Sequence, residues 1–221
     1  MIKEGVIKKS KSKVLGEGSI SGVDIKRFSP SAYYRDEVRQ KLGVGENDFI
    51  FIFLGRVNKD KGIIELLNAF NLLSSEHFKQ SIKLIIIGPD EESLLLNIDN
   101  KNVIVQGYTN EPHKFMACAD VFCLPSHREG FGSVLIEAAA AGLPAIASNI
   151  YGITDAVKDS ETGLLHKAGD SSDILTKMRL IIEKPELKER LANAARKRAI
   201  NFFDQKHITK ELMDFYSTVS P

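Results

Sequence analysis

The chain has 221 residues, of which 43% are hydrophobic and 27% charged, and its formal net charge is +1 at pH 7. These values predict a soluble globular protein and give no general attraction to nucleic acid or membrane surfaces. The sequence contains no apolar run of membrane-spanning length, and residues 1–13 lack the apolar core that is typical of a secretory signal. Its two cysteines, Cys118 and Cys123, lie in apolar stretches, so we expect buried thiols and a cytoplasmic location.

Residues 1–48 form the least regular part of the chain. Gly16, Gly18 and Gly22 mark tight turns, and residues 33–42 predict a short helix. From the residues alone, this stretch is interpreted as an irregular arm that packs on a core.

From residue 49 onward, apolar strands alternate with amphipathic helices. This alternation predicts an α/β fold with a doubly wound parallel sheet and helices on both faces. Residues 159–170 are interpreted as a hairpin-like loop. The predicted strands are 49–54, 83–88, 102–107, 121–125 and 145–148, and the predicted helices are 61–75, 91–98, 111–117, one from about 132, 171–183, 185–202 and 205–218.

Ligands of such sheets bind beyond the carboxyl ends of the strands, so the loops that follow the strands are the candidate sites. The loop after the first strand carries Gly55, Arg56 and Lys61, which could hold a diphosphate or could form a solvated turn. Gly88 follows the second strand and would bring backbone close to a ligand. Tyr108 follows the third strand and could either stack on a base or pack.

Residues 127–148, HREGFGSVLIEAAAAGLPAIAS, join a polar turn to a helix of small residues. Gly130 and Gly132 would free backbone N–H groups at the helix start, which is a natural seat for an anion. Glu129 would lie at the mouth of the helix and Glu137 about one turn inside, where carboxylates can accept hydrogen bonds from sugar hydroxyls. The alternative is that the glycines close a turn and both glutamates are solvated.

The run EGFGSVLIE, followed by AAAAGLP, resembles the donor-site signature of retaining glycosyltransferases of family 4, which have the two-domain GT-B fold. The run GSISGVDIKRFSP resembles the interdomain segment of that family, and GR-x4-KG at 55–62 resembles its diphosphate site. The resemblance implies an arm and interdomain segment at 1–48, a Rossmann-like donor domain at 49–200, and a helix at 201–221 that crosses to a preceding acceptor domain. The chain would then be the donor-binding half of a larger enzyme.

The resemblance also implies roles for individual residues. Arg56 and Lys61 would neutralise the departing diphosphate, Glu129 would contact the transferred sugar, and Glu137 would accept ribose hydroxyls. A front-face displacement would need no metal ion or other cofactor. The remaining residues expected to contact the nucleotide sugar are Gly55, Gly88, Tyr108, Gly130, Phe131, Gly132 and Ser133.

The turn NIYGITD at 149–155 departs from the common family pattern, because Tyr151 replaces a glycine and Asp155 stands at the acidic position. This version resembles a bacterial branch that builds capsule, O-antigen or other surface glycans, often from UDP-N-acetylhexosamines. It favours a UDP-sugar donor and a glycan or lipid-linked acceptor, with the full enzyme peripheral to the inner membrane face.

Two other functions remain open from the sequence. The chain could be a nucleotide-sugar-binding subunit that pairs with a separate acceptor-binding protein. A nucleotide-sugar epimerase is less favoured, because the loop at Gly55 lacks the G-x-G-x-x-G dinucleotide fingerprint. As a donor-binding half, the chain is expected to catalyse little or no transfer alone.

Overall fold

The computed structural model describes residues 13–96 and 98–219. Its centre is one sheet of six parallel strands in the order β3-β2-β1-β4-β5-β6. The chain therefore proceeds from β1 outward to β3, and then returns to place β4 on the other side of β1. The strands are β1 (Phe49–Leu54), β2 (Ile82–Ile87), β3 (Val103–Gln106), β4 (Val121–Leu124), β5 (Ala145–Ser148) and β6 (Gly163–His166).

Eight helices surround the sheet in the described part of the chain. α2 packs against α6, α4 against α7, and α1 against α3. This arrangement confirms the predicted α/β fold with a parallel sheet. The helices are α1 (Ala32–Leu42), α2 (Ile63–Ser74), α3 (Pro112–Cys118), α4 (Ser133–Ala140), α5 (Ile153–Ala156), α6 (Ser171–Glu183), α7 (Pro185–Phe202) and α8 (Gln205–Val219).

The central strands are buried on both faces, which is why they appear in the sequence as continuous apolar runs. Residues 50–53 of β1 and 84–86 of β2 are completely inaccessible to solvent. The two cysteines are buried free thiols, as predicted. Burial raises the pKa of the Cys118 thiol to about 12, so it is not a reactive thiolate.

Two predicted elements were wrong. Residues 91–96 form bends and a turn instead of a helix. The Asp90 carboxylate accepts hydrogen bonds from the N–H groups of Leu94 and Leu95, both at 2.9 Å. Such side-chain bonds compete with helical hydrogen bonding.

The second error is in the predicted loop at 159–170, which contains the sixth strand. β6 pairs with β5 from Ala145↔Gly163 to Ser148↔His166. A Cβ atom at Gly163 would lie 2.6 Å from the carbonyl oxygen of Ala145, so only glycine allows this approach. A run of four residues that contains glycine and histidine gives little strand signal, and the pairing with β5 decides its structure.

The N-terminal arm is tied to the junction of α7 and α8. Val23 donates its N–H to the Phe203 carbonyl at 2.7 Å and accepts from the N–H of Gln205 at 3.0 Å. This attachment carries the segment after Val23 across the molecule towards the loop that follows β3. Among the described residues, no helix has the length and apolar character that crossing a membrane requires.

Candidate functional site

The loops after β1 and β4 meet where the strand order reverses, which is the position where open α/β sheets bind ligands. The first loop passes through a 3-10 turn at Lys59–Lys61 and enters α2 at Gly62, whose φ is +67°. A Cβ atom at Gly62 would lie 2.0 Å from the carbonyl oxygen of Pro125. Glycine therefore allows the two loops to touch, and this contact sets Lys61 beside the turn that carries Glu129.

Lys61 and Glu129 form an ion pair, with 2.5 Å between Nζ and Oε1. Their side chains are only 18% and 12% exposed. Ser126, which is completely buried, donates its hydroxyl to the same Glu129 oxygen at 3.0 Å. Two residues to which the sequence assigned separate roles thus form one enclosed polar group.

Arg56 is held much more loosely than Lys61. Its side chain is 64% exposed, and Nη1 lies 3.5 Å from Oε1 of Glu91. The other Glu91 oxygen accepts from Asn58 at 2.8 Å. The guanidinium group can therefore turn towards a ligand at little energetic cost.

Gly55 and Gly88 lie where the loops after β1 and β2 touch. Gly88 has a φ of +135°, and a Cβ atom there would lie 1.9 Å from the Gly55 carbonyl oxygen. The N–H of Val57 donates to the Pro89 carbonyl at 2.8 Å, which ties the loops further. Gly88 therefore has a structural requirement of its own, whereas a Cβ atom at Gly55 would meet only the Phe53 ring at an ordinary contact distance of 3.5 Å.

The glycine-rich turn opens directly onto α4. Gly132 has a φ of +66° and occupies the N-cap position, with no side chain capping the helix. The exposed Ser133 is the first helical residue. The ring of Phe131 packs edge-on against Phe203 at a centroid distance of 5.7 Å, so this side chain anchors the turn to the end of α7. Backbone N–H groups at the helix start are left for an anion.

The turn after β5 supports the glycine-rich turn from beneath. Gly152 has a φ of +88°, and a Cβ atom there would lie 2.5 Å from the carbonyl oxygens of both Glu129 and Gly130. Tyr151, one residue earlier, replaces a glycine of the family pattern and has an exposed side chain. Gly152 makes the close contact with the glycine-rich turn.

Glu137 is half-buried on the first turns of α4, and burial raises its pKa above the ordinary value of 4.5. The positive charge of Arg27 acts in the opposite direction. Within the ranges 13–96 and 98–219, the carboxylate of Glu137 makes no hydrogen bond or ion pair. An acceptor that is partly desolvated and has no partner is suited to bind hydroxyl groups of a ligand.

Arg27 is close enough to the site for its charge to act on Glu137, and the sequence did not reveal this. It lies on the N-terminal arm, yet its Nη2 donates to the Asn110 carbonyl at 2.8 Å, and its Nε lies 3.4 Å from Nδ1 of His113. It thus connects the arm to the segment that follows β3. Arg27 stands within the quoted GSISGVDIKRFSP run, but the residues that it contacts lie more than 80 positions away, so local pattern could not place it.

Tyr108 lies beyond the end of β3, at the edge of the sheet, and is 78% exposed. Its ring does not pack into the core, which removes one of the two interpretations of this residue. His127 pairs with Glu65 at 3.2 Å, and Arg128 pairs with Asp60 at 2.5 Å. These two neighbours of Glu129 are held at the surface of the site.

The family model described as "Glycosyl transferases group 1" matches residues 34–198, which is most of the chain. The chain belongs to the group 1 glycosyl transferases. It is 35% identical over 225 residues to a capsular polysaccharide biosynthesis glycosyltransferase, CapM, of Staphylococcus aureus, covering 99% of this chain and 58% of that protein. The chain thus spans little more than half the length of this relative.

Solved structures of other proteins share the fold of this chain. The Anabaena protein HepE, solved in complex with UDP and glucose, has a TM-score of 0.80 and 24% identity, covering 90% of this chain and 55% of that chain. WaaG, a glycosyltransferase involved in lipopolysaccharide biosynthesis, has a TM-score of 0.77 and 22% identity, covering 95% and 57% respectively. These likenesses confirm the predicted Rossmann-like GT-B glycosyltransferase fold.

Proposed function

We propose that this chain is the donor-binding part of a retaining glycosyltransferase of family 4. The full enzyme would move a hexosyl or N-acetylhexosaminyl group from a UDP-sugar to a glycan or lipid-linked acceptor. The observation that carries the proposal is the enclosed Lys61–Glu129 pair beside the start of α4 at the switch point of the sheet, with the exposed Arg56 on the same loop as Lys61. The UDP complex of HepE and the capsular role of CapM support the choice of donor and acceptor classes.

The proposed reaction develops negative charge on the diphosphate as the bond between sugar and phosphate breaks. Arg56 and Lys61 would supply positive charge there, and the first N–H groups of α4 would add a favourable dipole. In this proposal the protein itself stabilises the leaving group, so no metal ion takes part. A diphosphate oxygen would assist deprotonation of the acceptor hydroxyl on the same face of the sugar.

The two glutamates would bind different parts of the donor. Glu137 would accept the ribose hydroxyls, because its carboxylate is half-buried and makes no hydrogen bond among the described residues. Glu129, within the same enclosed group as Lys61, would accept hydroxyls of the transferred sugar. The backbone at Gly88 and the exposed ring of Tyr108 would line the nucleotide end of the site.

The acceptor is proposed to bind to a domain outside this chain, in keeping with the greater length of the relatives. We therefore expect this chain to bind donor and to transfer little or no sugar. Supplying the acceptor domain should restore transfer, and NMR of the product should then show retention of the anomeric configuration.

The proposal is tested by calorimetric titration of the chain with UDP, GDP and ADP. We expect UDP to bind most tightly, and Lys61→Met to weaken its binding by about tenfold through loss of a charged contact. Lys59→Met is the matched control, because Lys59 lies on the same loop but is 70% exposed and pairs with Glu92. Absence of nucleotide binding by the folded wild-type chain, or equal losses in both variants, would contradict the proposal.

A further inference from the structure

The ion pair between Lys61 and Glu129 presents a difficulty for any diphosphate that enters the site. Nζ of Lys61 already lies 2.5 Å from the carboxylate, and both side chains are mostly shielded from water. A phosphate that recruits Lys61 must take it from Glu129. Among the described residues, the glutamate would then keep only the Ser126 hydroxyl as a partner, at 3.0 Å.

A largely enclosed carboxylate that loses its counter-charge is strongly disfavoured. Water can reach Glu129 only poorly, because its side chain is 12% exposed. Free UDP brings no hydrogen-bond donor to replace Lys61 at this position. A nucleotide that carries a sugar brings hydroxyl groups, and these can donate to the carboxylate as the lysine turns to the phosphate.

We propose that Lys61, Glu129 and Ser126 together form a specificity element that favours the intact sugar nucleotide over the free nucleoside diphosphate. This inference rests on the proposed donor site and deepens it. The intact donor satisfies both halves of the separated ion pair. The nucleoside diphosphate left after transfer satisfies only Lys61, so Glu129 competes for the lysine and favours release of the product.

The other ion pairs around the site do not impose this penalty. Arg56 and Glu91 are 64% and 38% exposed, and Arg128 and Asp60 are 79% and 58% exposed. When such a pair separates, water solvates both charges. His127 and Glu65 are also more open than the central pair, at 37% and 22%. Selectivity between donor and product is therefore assigned to the Lys61–Glu129 pair alone.

The decisive experiment is calorimetric titration of wild type and Glu129→Gln with UDP. Glutamine keeps the side-chain shape and can still accept from Ser126, but it releases Lys61 to the phosphate. We expect Glu129→Gln to bind UDP about five- to tenfold more tightly than wild type does, as expected for loss of a competing charged partner. Unchanged or weaker UDP binding by Glu129→Gln would overturn the proposal.

Two further variants assign the gain to the lysine. In a Lys61→Met background, Glu129→Gln should no longer improve UDP binding, since no cation remains to be released. The control is Asp60→Asn, which frees Arg128 from the exposed pair nearby. We expect it to leave UDP affinity within about twofold, because exposed pairs contribute little. An equal gain in the Lys61→Met background, or in Asp60→Asn, would refute the assigned cause.

The same proteins are then titrated with UDP-glucose and UDP-N-acetylglucosamine. We expect wild type to bind at least one of these two sugar nucleotides more tightly than UDP. Glu129→Gln should reduce the ratio of the affinity for that sugar nucleotide to the affinity for UDP by about tenfold. Thermal unfolding confirms that each variant is folded. If the folded wild type binds none of these nucleotides, the proposed function fails and the specificity element with it. If it binds them with a ratio that Glu129→Gln does not change, only the specificity element fails.

Discussion

Enclosed charged side chains lie both at the amino ends of the strands (the amino edge) and at their carboxyl ends (the carboxyl edge). The two groups differ in how completely other residues pair with them. At the amino edge, Asp120 is 9% exposed and lies within 3.1 Å of Arg35, 3.2 Å of Arg39 and 3.6 Å of Lys188. It also accepts the N–H of Ile50 at 2.9 Å. The protein itself satisfies this carboxylate on every side.

At the carboxyl edge, two charged groups near the Lys61–Glu129 pair are left with incomplete partners. The Glu137 carboxylate makes no hydrogen bond within the described part of the chain, and burial raises its pKa. Of the residues that the structure describes, Arg56 contacts Glu91 alone, at 3.5 Å. The comparison teaches that a buried charge by itself does not mark a functional site. Asp120, with cations on several sides, stabilises the fold, whereas Glu137 and Arg56, whose partners are incomplete, can bind a ligand.

The largest expected effect is at the amino edge. Asp120→Ala should lower the free energy of unfolding by about 3–5 kcal/mol, because it leaves the buried guanidinium of Arg39 without its counter-charge. Urea unfolding measures this loss. Glu137→Gln, at the other edge, is the control and should be no less stable than wild type. Equal losses of stability in the two variants would break the distinction between the edges.

A second prediction concerns the support beneath the glycine-rich turn. Gly152→Ala should lower the free energy of unfolding by about 2–3 kcal/mol and weaken UDP binding, because its Cβ atom meets the Glu129 and Gly130 carbonyl oxygens. The matched control is Gly43→Ala, where φ is +64° but nothing lies within 4 Å. That variant should lose only about 1 kcal/mol and bind UDP normally. Normal UDP binding by Gly152→Ala would show that the turn does not depend on this contact.

The third prediction sharpens the contrast at Glu137. Glu137→Gln should weaken UDP binding by about tenfold, or 1.4 kcal/mol, through loss of a charged acceptor. Wild type should discriminate against 2′-deoxy-UDP, and the variant should do so less. Burial raises the pKa of Glu137 above 4.5, so this carboxylate becomes protonated at a higher pH than an exposed glutamate does. As the pH is lowered, the UDP affinity of wild type should therefore begin to fall at that higher pH. Unaltered discrimination in the variant would assign the ribose to another group.

The smallest expected effect comes from His166, at the carboxyl end of β6. Burial lowers its pKa below 6.5, and its Nδ1 contacts the Lys167 carbonyl at 2.9 Å. The unfolded chain therefore gains a proton first as pH falls below 6.5, and stability decreases there by up to about 1 kcal/mol per pH unit.

His166→Phe should reduce this decrease without abolishing it, because burial also lowers the pKa of His113. Thermal unfolding between pH 7.5 and 5 tests the effect. An unchanged slope in the variant would show that His166 does not titrate differently in the two states. The His166→Phe substitution should leave UDP affinity at neutral pH unchanged, since His166 lies outside the proposed donor site.

Much of the architecture could be predicted from local pattern. The five strands with continuous apolar runs were found within one or two residues, because burial on both faces leaves an unmistakable signal. The sixth strand was missed because its four residues carry no such signal. The helix predicted at 91–98 was wrong because the Asp90 carboxylate accepts hydrogen bonds from the backbone N–H groups of Leu94 and Leu95. The roles assigned to the site residues stay predictions until the nucleotide titrations are done.

The sequence by itself determined the α/β class, the family resemblance and the residues that end at the carboxyl edge. Those properties depend on period, on turn chemistry and on short motifs, all of which are local. Only the tertiary structure decided that Lys61 holds Glu129, that Arg27 reaches the segment after β3, and that Gly152 supports the glycine-rich turn. These contacts join residues that are far apart in the chain, and they exist because the fold packs the loops after several strands, and the N-terminal arm, against one another.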